Sequence, residues 1–186
     1  MKLINSINIT SVLFATIFLA SCGGSDEESD PNTYRANVSS TPQYYGVDST
    51  IHIDAFAEVQ NGVDTVASDI FNFEYEFGTS YELRVGQFPA APSGDGATII
   101  LTSLIEVVSA TPDAIGTSYR YDNVELRGNP FTEETTGIYG FYQYDFLCAD
   151  NVDCDALVAI ADSGGLVSVE FEYTGGDVPI TLVWWN

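Results

Sequence analysis

The chain has 186 residues, and its 27 aspartate and glutamate side chains outnumber five lysines and arginines, which gives a formal net charge of −22 at pH 7. So acidic a surface repels phosphate backbones and anionic lipid head groups, which argues against nucleic acid as a partner. The charge keeps the protein soluble at a cost in self-repulsion that salt relieves, so we interpret it as a sign of a salty habitat. A cation-binding surface is the alternative interpretation.

The first 21 residues have the pattern of a secretory signal, with an apolar run from Ile9 to Ala20 and small residues before Cys22. The stretch Leu19-Ala20-Ser21-Cys22 resembles the lipobox of bacterial lipoproteins. This resemblance implies that Cys22 is acylated and becomes the first mature residue. Gly23, in place of aspartate, implies sorting to the outer membrane, where we expect the periplasmic side. The alternative is an ordinary cleaved signal with Cys22 as a chance thiol.

Three further segments follow the signal. Residues 22–33 are rich in glycine, serine and acidic side chains that can bury nothing, so they predict a disordered tether. Residues 34–109 predict one β domain, and residues 110–186 predict a β-rich C-terminal part that contains one short helix.

Alternating apolar and polar residues dominate the first half of the chain. Thr50 to Val59 predicts a half-buried strand, and Asn61-Gly62 predicts a hairpin turn into Val63–Ala67. Strict alternation from Phe71 to Phe77 predicts another strand, and Tyr81 to Val85 resumes the pattern.

A long apolar segment follows a proline-rich loop, which we place at Pro89–Gly96. Thr98 to Val108 has few polar gaps and many β-branched residues, which favours a long strand buried on both faces. Its periodicity alone leaves a helix open.

The run from Ile70 to Val85 resembles the signature of a small uncharacterised bacterial lipoprotein domain that is often found beside META (heat-shock-type) domains. The residues of this run match the spacing of that signature throughout. Three residues depart from it: Asn72 stands in place of glycine, Phe77 in place of proline and Thr79 in place of tyrosine. The similarity covers about residues 45–109. Because this family has no assigned activity, the resemblance implies no catalytic residue.

The C-terminal part predicts four strands and a helix. The helix covers residues 153–161, with Asp153 as its N-cap and Gly164-Gly165 after its end. The predicted strands are Ser118–Leu126, Gly137–Leu147, Leu166–Tyr173 and Ile180–Trp185. With Thr98–Val108 counted first, the order is three strands, a helix and two strands, which is the element order of an OB-fold. We therefore predict a mainly β protein with an antiparallel β-barrel or sandwich architecture, whose C-terminal half is OB-fold-like.

Cys148 and Cys154 flank a five-residue loop in a compartment that permits disulfides, so we predict a bond between them. Acidic and amide side chains around this loop could supply oxygen ligands to calcium. These candidates are Asp145, Asp150, Asn151, Asp153 and Asp155. Their spacing lacks the glycine and glutamate of an EF-hand loop, and a solvated acidic loop is the alternative. No other cofactor is indicated.

Aromatic side chains suggest a second kind of site, a platform that stacks on sugar rings. The principal candidates are Tyr142, Tyr144, Trp184 and Trp185, with Tyr44, Tyr45 and Tyr139 as further members. Since aromatic residues are common in strands, a role in the core or on a sheet face is the alternative. Successive strand residues point to opposite faces, so Trp184 and Trp185 cannot both face one core.

The sequence offers little for catalysis. The single histidine, His52, lies on the polar face of a predicted strand, and the carboxylate pairs Glu74/Glu76 and Glu170/Glu172 lie on solvated strand faces. We therefore predict no catalytic residues and no enzyme activity, and expect a lipid-anchored protein with a binding or envelope-structural role. Its partner would be another envelope protein or a glycan. A carbohydrate- or calcium-binding module is the alternative, and an enzyme that uses paired carboxylates is the third possibility.

Overall fold

The structure is a computed structural model that describes residues 32–45, 50–52, 55–59, 62–67, 69–89 and 100–186, with the side chains of 52, 55–59 and 62–67 outside the description. The predictions for the signal, for Cys22, for nearly all of the tether and for the loop after Pro89 therefore fall outside the described residues. Within the described residues, no helix is long and apolar enough to cross a membrane.

The described elements are thirteen strands and one short helix. In chain order they are β1 (Thr33–Val38), β2 (Gln43–Tyr45), β3 (Thr50–His52), β4 (Ala55–Val59), β5 (Gly62–Ala67), β6 (Thr79–Pro89), β7 (Ile100–Pro112), β8 (Ser118–Glu125), β9 (Phe131–Thr135), β10 (Ile138–Phe141), β11 (Tyr144–Cys148), α1 (Cys154–Ala159), β12 (Leu166–Tyr173) and β13 (Ile180–Trp185). The prediction of a mainly β protein with one short helix is confirmed.

The first sheet has the strand order β5-β4-β1-β6-β7, and all of its neighbouring strands are antiparallel. The predicted hairpin is present, with Val59 opposite Gly62 across β4 and β5. Alternate residues of β1 and β6 face a small core, because side chains along a strand point to opposite faces. This core consists of Ala36, Val38, Ile70, Leu83 and Val85.

The second sheet has the order β8-β12-β13-β11-β10-β9 and curls into a half-barrel. Strands β11 and β13 are parallel, and the other neighbours in this sheet are antiparallel. The half-barrel encloses the larger core, whose fully buried side chains include Phe131, Phe141, Phe146, Leu157 and Phe171. The β2–β3 ribbon also covers this core, since Ile51 is buried in it.

The element order of the C-terminal half differs from the predicted one. Strand β7, which the sequence places first in that order, pairs with β6 along its length and belongs to the first sheet. Four strands lie between β7 and α1, namely β8, β9, β10 and β11, and all four belong to the second sheet. From Ser118 onward the order is therefore four strands, a helix and two strands, one strand more than predicted.

The prediction of a strand from Phe71 to Phe77 is wrong. Phe71 forms a single bridge to Ser103, after which Asn72 adopts a left-handed φ of 61° and the chain leaves the sheet. Alternation in this segment has another cause: Phe73 packs on the first core, whereas Phe77 is buried in the second. The segment thus joins the two cores.

Two further strand predictions need correction. Gly137–Leu147 is a hairpin of β10 and β11, because Tyr142 takes a left-handed φ of 55° at its turn. Strand β7 is long, as expected, but it is not buried on both faces. It lies at the edge of its sheet, and Ile105, Val107 and Val108 are all about 40% exposed.

Candidate binding cleft

An open cleft of about 410 Å³ lies beside the segment that joins the two cores. Three parts of the chain form it: residues 74–77 with Tyr81 of β6, the turn between β10 and β11, and the loop before β13. The lining residues are Glu74, Tyr75, Glu76, Phe77, Tyr81, Gln143, Tyr144, Asp145, Asp177 and Pro179. We call this site the acidic cleft.

The wall of the acidic cleft is a group of aromatic rings in mutual contact. The centroid of Tyr75 lies 5.9 Å from that of Tyr144 and 5.9 Å from that of Tyr81. Phe77 meets Tyr144 edge to face at 5.4 Å. Such tilted and edge-on contacts are favourable arrangements for aromatic pairs, so the wall is held by its own packing.

Gly78 fixes the position of this wall. It has a φ of 84°, which a side chain would strain, and an added Cβ would lie 2.3 Å from the ring of Tyr173. Its backbone N–H donates to the carbonyl of Ser40 and its carbonyl accepts from the N–H of Asp113, both at 2.7 Å. The end of the joining segment is thereby tied to both halves of the described chain.

The cleft carries uncompensated negative charge. Glu74, Glu76, Asp145 and Asp177 line it, and within the described part of the chain none of them forms an ion pair. All four arginines that follow the signal are paired elsewhere. Their partners are Glu82 for Arg35, Glu106 for Arg84, Asp122 and Glu170 for Arg120, and Glu125 for Arg127.

The tyrosines of the cleft are held in their neutral form. Burial raises the pKa of Tyr144 to about 12, and it raises the pKa of Tyr75 further still, with smaller contributions from neighbouring tyrosines. The hydroxyl oxygen of Tyr75 is enclosed and has no hydrogen-bond partner among the described residues. A buried hydroxyl without a partner costs about 1–3 kcal/mol, so the Tyr75 hydroxyl is a local energetic cost within the aromatic wall.

A second groove of about 520 Å³ adjoins the cleft and shares Glu74 and Tyr81 with it. Its floor is more apolar, because Phe73, Leu104 and Val107 line it. Both depressions are lined by the joining segment, the groove by residues 72–74 and the cleft by residues 74–77. Together they offer an acidic aromatic site beside an apolar one.

The disulfide prediction is confirmed: the sulfur atoms of Cys148 and Cys154 are 2.01 Å apart. The bond joins the end of β11 to the first residue of α1. Asp153 caps α1 as expected, since its carboxylate accepts from the N–H of Ala156 at 2.9 Å.

The calcium candidates are not brought together. Asp153 is occupied by its capping bond, Asp155 accepts from the hydroxyl of Tyr139 at 2.7 Å, and Asp145 points to the acidic cleft. Asp150 and Asn151 are exposed. Within the described ranges, no three histidine, cysteine, aspartate or glutamate side chains are grouped so that they could hold a metal ion.

The aromatic candidates separate into different sites. Tyr144 lines the cleft, whereas Tyr142 packs on Phe141 and Tyr44. The guanidinium carbon of Arg120 lies over the ring of Trp184, 4.8 Å from the centroid of that ring. The indole N–H of Trp185 donates to the carbonyl of Asp153.

A bulge determines which of the two tryptophans faces the core. Phe171 lies opposite Leu182 and Glu170 lies opposite Trp184, so Val183 is an extra residue in β13. The bulge turns Trp185 towards the core beside Val169 and leaves Trp184 on the outer face beside Glu170. As predicted, the two side chains do not face one core.

The sequence pattern does not reveal the acidic cleft as a site. It predicts Glu74 and Glu76 on a solvated strand face, but the segment is not a strand and both side chains line the cleft. The signal that could have located the cleft is the pair of turn-forming residues Asn72 and Gly78 on either side of an aromatic run.

The single histidine of the sequence, His52, lies in strand β3, and its side chain is outside the description.

Comparison with known proteins gives no relative to guide the interpretation: no family model matches the chain, and neither a curated protein nor a solved structure matches it. The functional interpretation therefore depends on the sequence and on the geometry of the cleft.

Proposed function

We propose that the chain is a membrane-anchored bacterial lipoprotein whose folded part is a non-enzymatic binding module. The observation that carries the binding role is the acidic cleft, a concave site with an aromatic wall and convergent polar groups. Sites with this combination of features are the usual places for ligands. The cleft offers carboxylate and amide oxygens beside aromatic rings, which are groups that bind and orient a ligand.

The anchoring role is supported by the sequence Leu19-Ala20-Ser21-Cys22 and by the acidic segment after it. Acylation of Cys22 would attach the protein to the outer membrane, and we place the folded part on its periplasmic side. The resemblance of residues 45–109 to a lipoprotein domain agrees with this address. A tether of about ten residues would let the module reach a partner in the envelope.

Fractionation of host cells that express the full chain tests the anchor. We expect the wild-type protein in the outer-membrane fraction and Cys22→Ser in the soluble fraction or retained with its leader. Ser25→Ala, three residues beyond the cysteine, is the matched control and should fractionate like the wild type. Recovery of Cys22→Ser in the outer-membrane fraction at the wild-type level would contradict the proposal.

A carbohydrate-binding role is the second candidate, because the ring of Tyr144 lines the cleft together with Gln143 and Asp145. A ring face beside hydrogen-bonding side chains suits a sugar. Binding to a glycan array that is lost in Tyr144→Ala and retained in Trp184→Ala would favour this candidate. Trp184 is the control because it lies on the outer face of β13.

A further inference from the structure

We propose that the acidic cleft binds an organic cation, namely a primary ammonium or guanidinium group. The inference rests on the proposed binding function and specifies the ligand chemistry of the same site. Such a group is supplied either by a free polyamine or by a lysine or arginine side chain of a partner protein.

The first reason is the charge balance of the chain. Four carboxylates line the cleft, and every arginine after the signal is already paired with another carboxylate. The chain contains no lysine beyond Lys2. A compensating positive charge in the cleft must therefore come from outside the described chain.

The second reason is the aromatic wall. The rings of Tyr75, Tyr81 and Tyr144 line the same cleft as the carboxylates. The face of an aromatic ring attracts a cation, and this attraction suits weakly hydrated organic cations.

The third reason is that the geometry disfavours the competing ligands. A metal ion needs several oxygen ligands within about 2.6 Å, and no such group of side chains exists among the described residues. A neutral sugar would leave four carboxylates without compensation. A cation several ångströms long can instead touch separate carboxylates along an open cleft of about 410 Å³.

The test is isothermal titration calorimetry on the full chain, purified in detergent, at low ionic strength. The cationic probes are spermidine and Nα-acetyl-arginine amide, which represent the free and the protein-borne source. Nα-acetyl-citrulline amide is the neutral counterpart of the arginine probe. Calcium chloride and a neutral disaccharide represent the competing ligands.

The decisive variant is Glu74→Gln/Asp145→Asn, in which both positions are exposed, so the fold should be kept. Its matched control is Glu133→Gln/Asp150→Asn, which removes the same charges at exposed positions outside the cleft. We expect saturable binding of at least one cationic probe to the wild type and to the control. The cleft variant should bind about tenfold more weakly or worse, which corresponds to about 1.4 kcal/mol. The citrulline probe should bind weakly to all three proteins.

Tighter binding of spermidine would identify a free polyamine as the source of the cation, and tighter binding of the arginine probe would identify a side chain of a partner protein. Raising the salt from about 20 mM to about 500 mM should weaken either interaction severalfold, since screening reduces attraction between exposed charges. If the cleft variant and its control both bound the cationic probes more weakly than the wild type, and to the same extent, the attraction would be a diffuse one to an acidic surface. That result would overturn the inference. So would the absence of cation binding, or preferential binding of calcium or the disaccharide. A wild-type protein that is absent from the outer-membrane fraction, or Cys22→Ser that is recovered there at the wild-type level, would instead contradict only the proposed anchor.

Discussion

The indole N–H of Trp185 donates a hydrogen bond of 3.1 Å to the backbone carbonyl of Asp153. This bond joins the end of the last strand to the cap of α1, one residue from the disulfide between Cys148 and Cys154. Three constraints therefore converge on one short loop: a hydrogen bond, a helix cap and a covalent link. Two of the aspartates at this loop thus have structural contacts, because Asp153 caps α1 and Asp155 accepts from the hydroxyl of Tyr139.

Replacing Trp185 with phenylalanine should destabilise the protein by about 1 kcal/mol, because the bond to Asp153 is lost while most of the ring packing remains. Urea unfolding followed by far-UV circular dichroism measures this change. Trp184→Phe serves as the comparison, since that indole makes no bond to the loop. An equal effect of the two changes would show that the bond contributes nothing of its own.

The disulfide should stabilise the fold by about 2 kcal/mol, the value expected for closing so short a loop in the unfolded chain. Cys148→Ser/Cys154→Ser removes it. We expect a lower urea midpoint with a folded circular dichroism spectrum still present in water. A variant as stable as the wild type would contradict a structural role for the bond.

Asp153→Ala should cost about 1 kcal/mol, because the N–H of Ala156 loses its capping acceptor. Asp150→Ala is the matched control, since Asp150 is exposed on the same loop. If this loop bound calcium, both changes would remove a rise in melting temperature caused by calcium. We expect calcium to cause no such rise above that of an equal ionic strength of sodium chloride.

Gly78→Ala should be the most damaging single methyl addition that we can identify. It combines a left-handed φ with a contact of 2.3 Å to the Tyr173 ring, so we expect a loss of about 2–4 kcal/mol. Gly137→Ala has the same φ of 84° and open space around its Cβ, so it should cost only about 1 kcal/mol. Comparison of the two urea midpoints separates the packing contribution from the backbone contribution. Similar midpoints would mean that Tyr173 moves aside freely.

Stability should decline at alkaline pH through the buried tyrosines. The pKa of Tyr144 is raised to about 12 by burial, and that of Tyr139 to about 12 by its bond to Asp155, with burial second. A tyrosine whose folded pKa exceeds its unfolded value of about 10 favours the folded state below pH 10 and loses this contribution as the pH rises towards 12. Absorbance at 295 nm should show ionisation together with unfolding in this range. Ionisation of all tyrosines near pH 10 in a protein that remains folded would contradict this prediction.

The sequence predicted the elements whose pattern is local. The alternation in β6, β8 and β12 corresponds to one buried and one more exposed face, and the cap at Asp153 is a contact between near neighbours. The Cys148–Cys154 bond follows from two cysteines at short spacing. These features require no knowledge of distant parts of the chain.

The elements that were missed depend on distant partners. Phe71 to Phe77 alternates because its rings are divided between two cores, which a strand pattern imitates. Strand β7 reads as doubly buried, yet its pairing with β6 alone leaves it at a sheet edge. The acidic cleft likewise depends on distant partners, since it brings together residues 74–77, the β10–β11 turn and Asp177.

The most direct test of lipid anchoring is the intact mass and the N-terminal peptide of the protein purified from membranes of its host. We predict a chain that begins at Cys22 and carries a thioether-linked diacylglycerol with an amide-linked third acyl chain. An intact leader, or an unmodified amino terminus at or after Cys22, would contradict the proposed anchor.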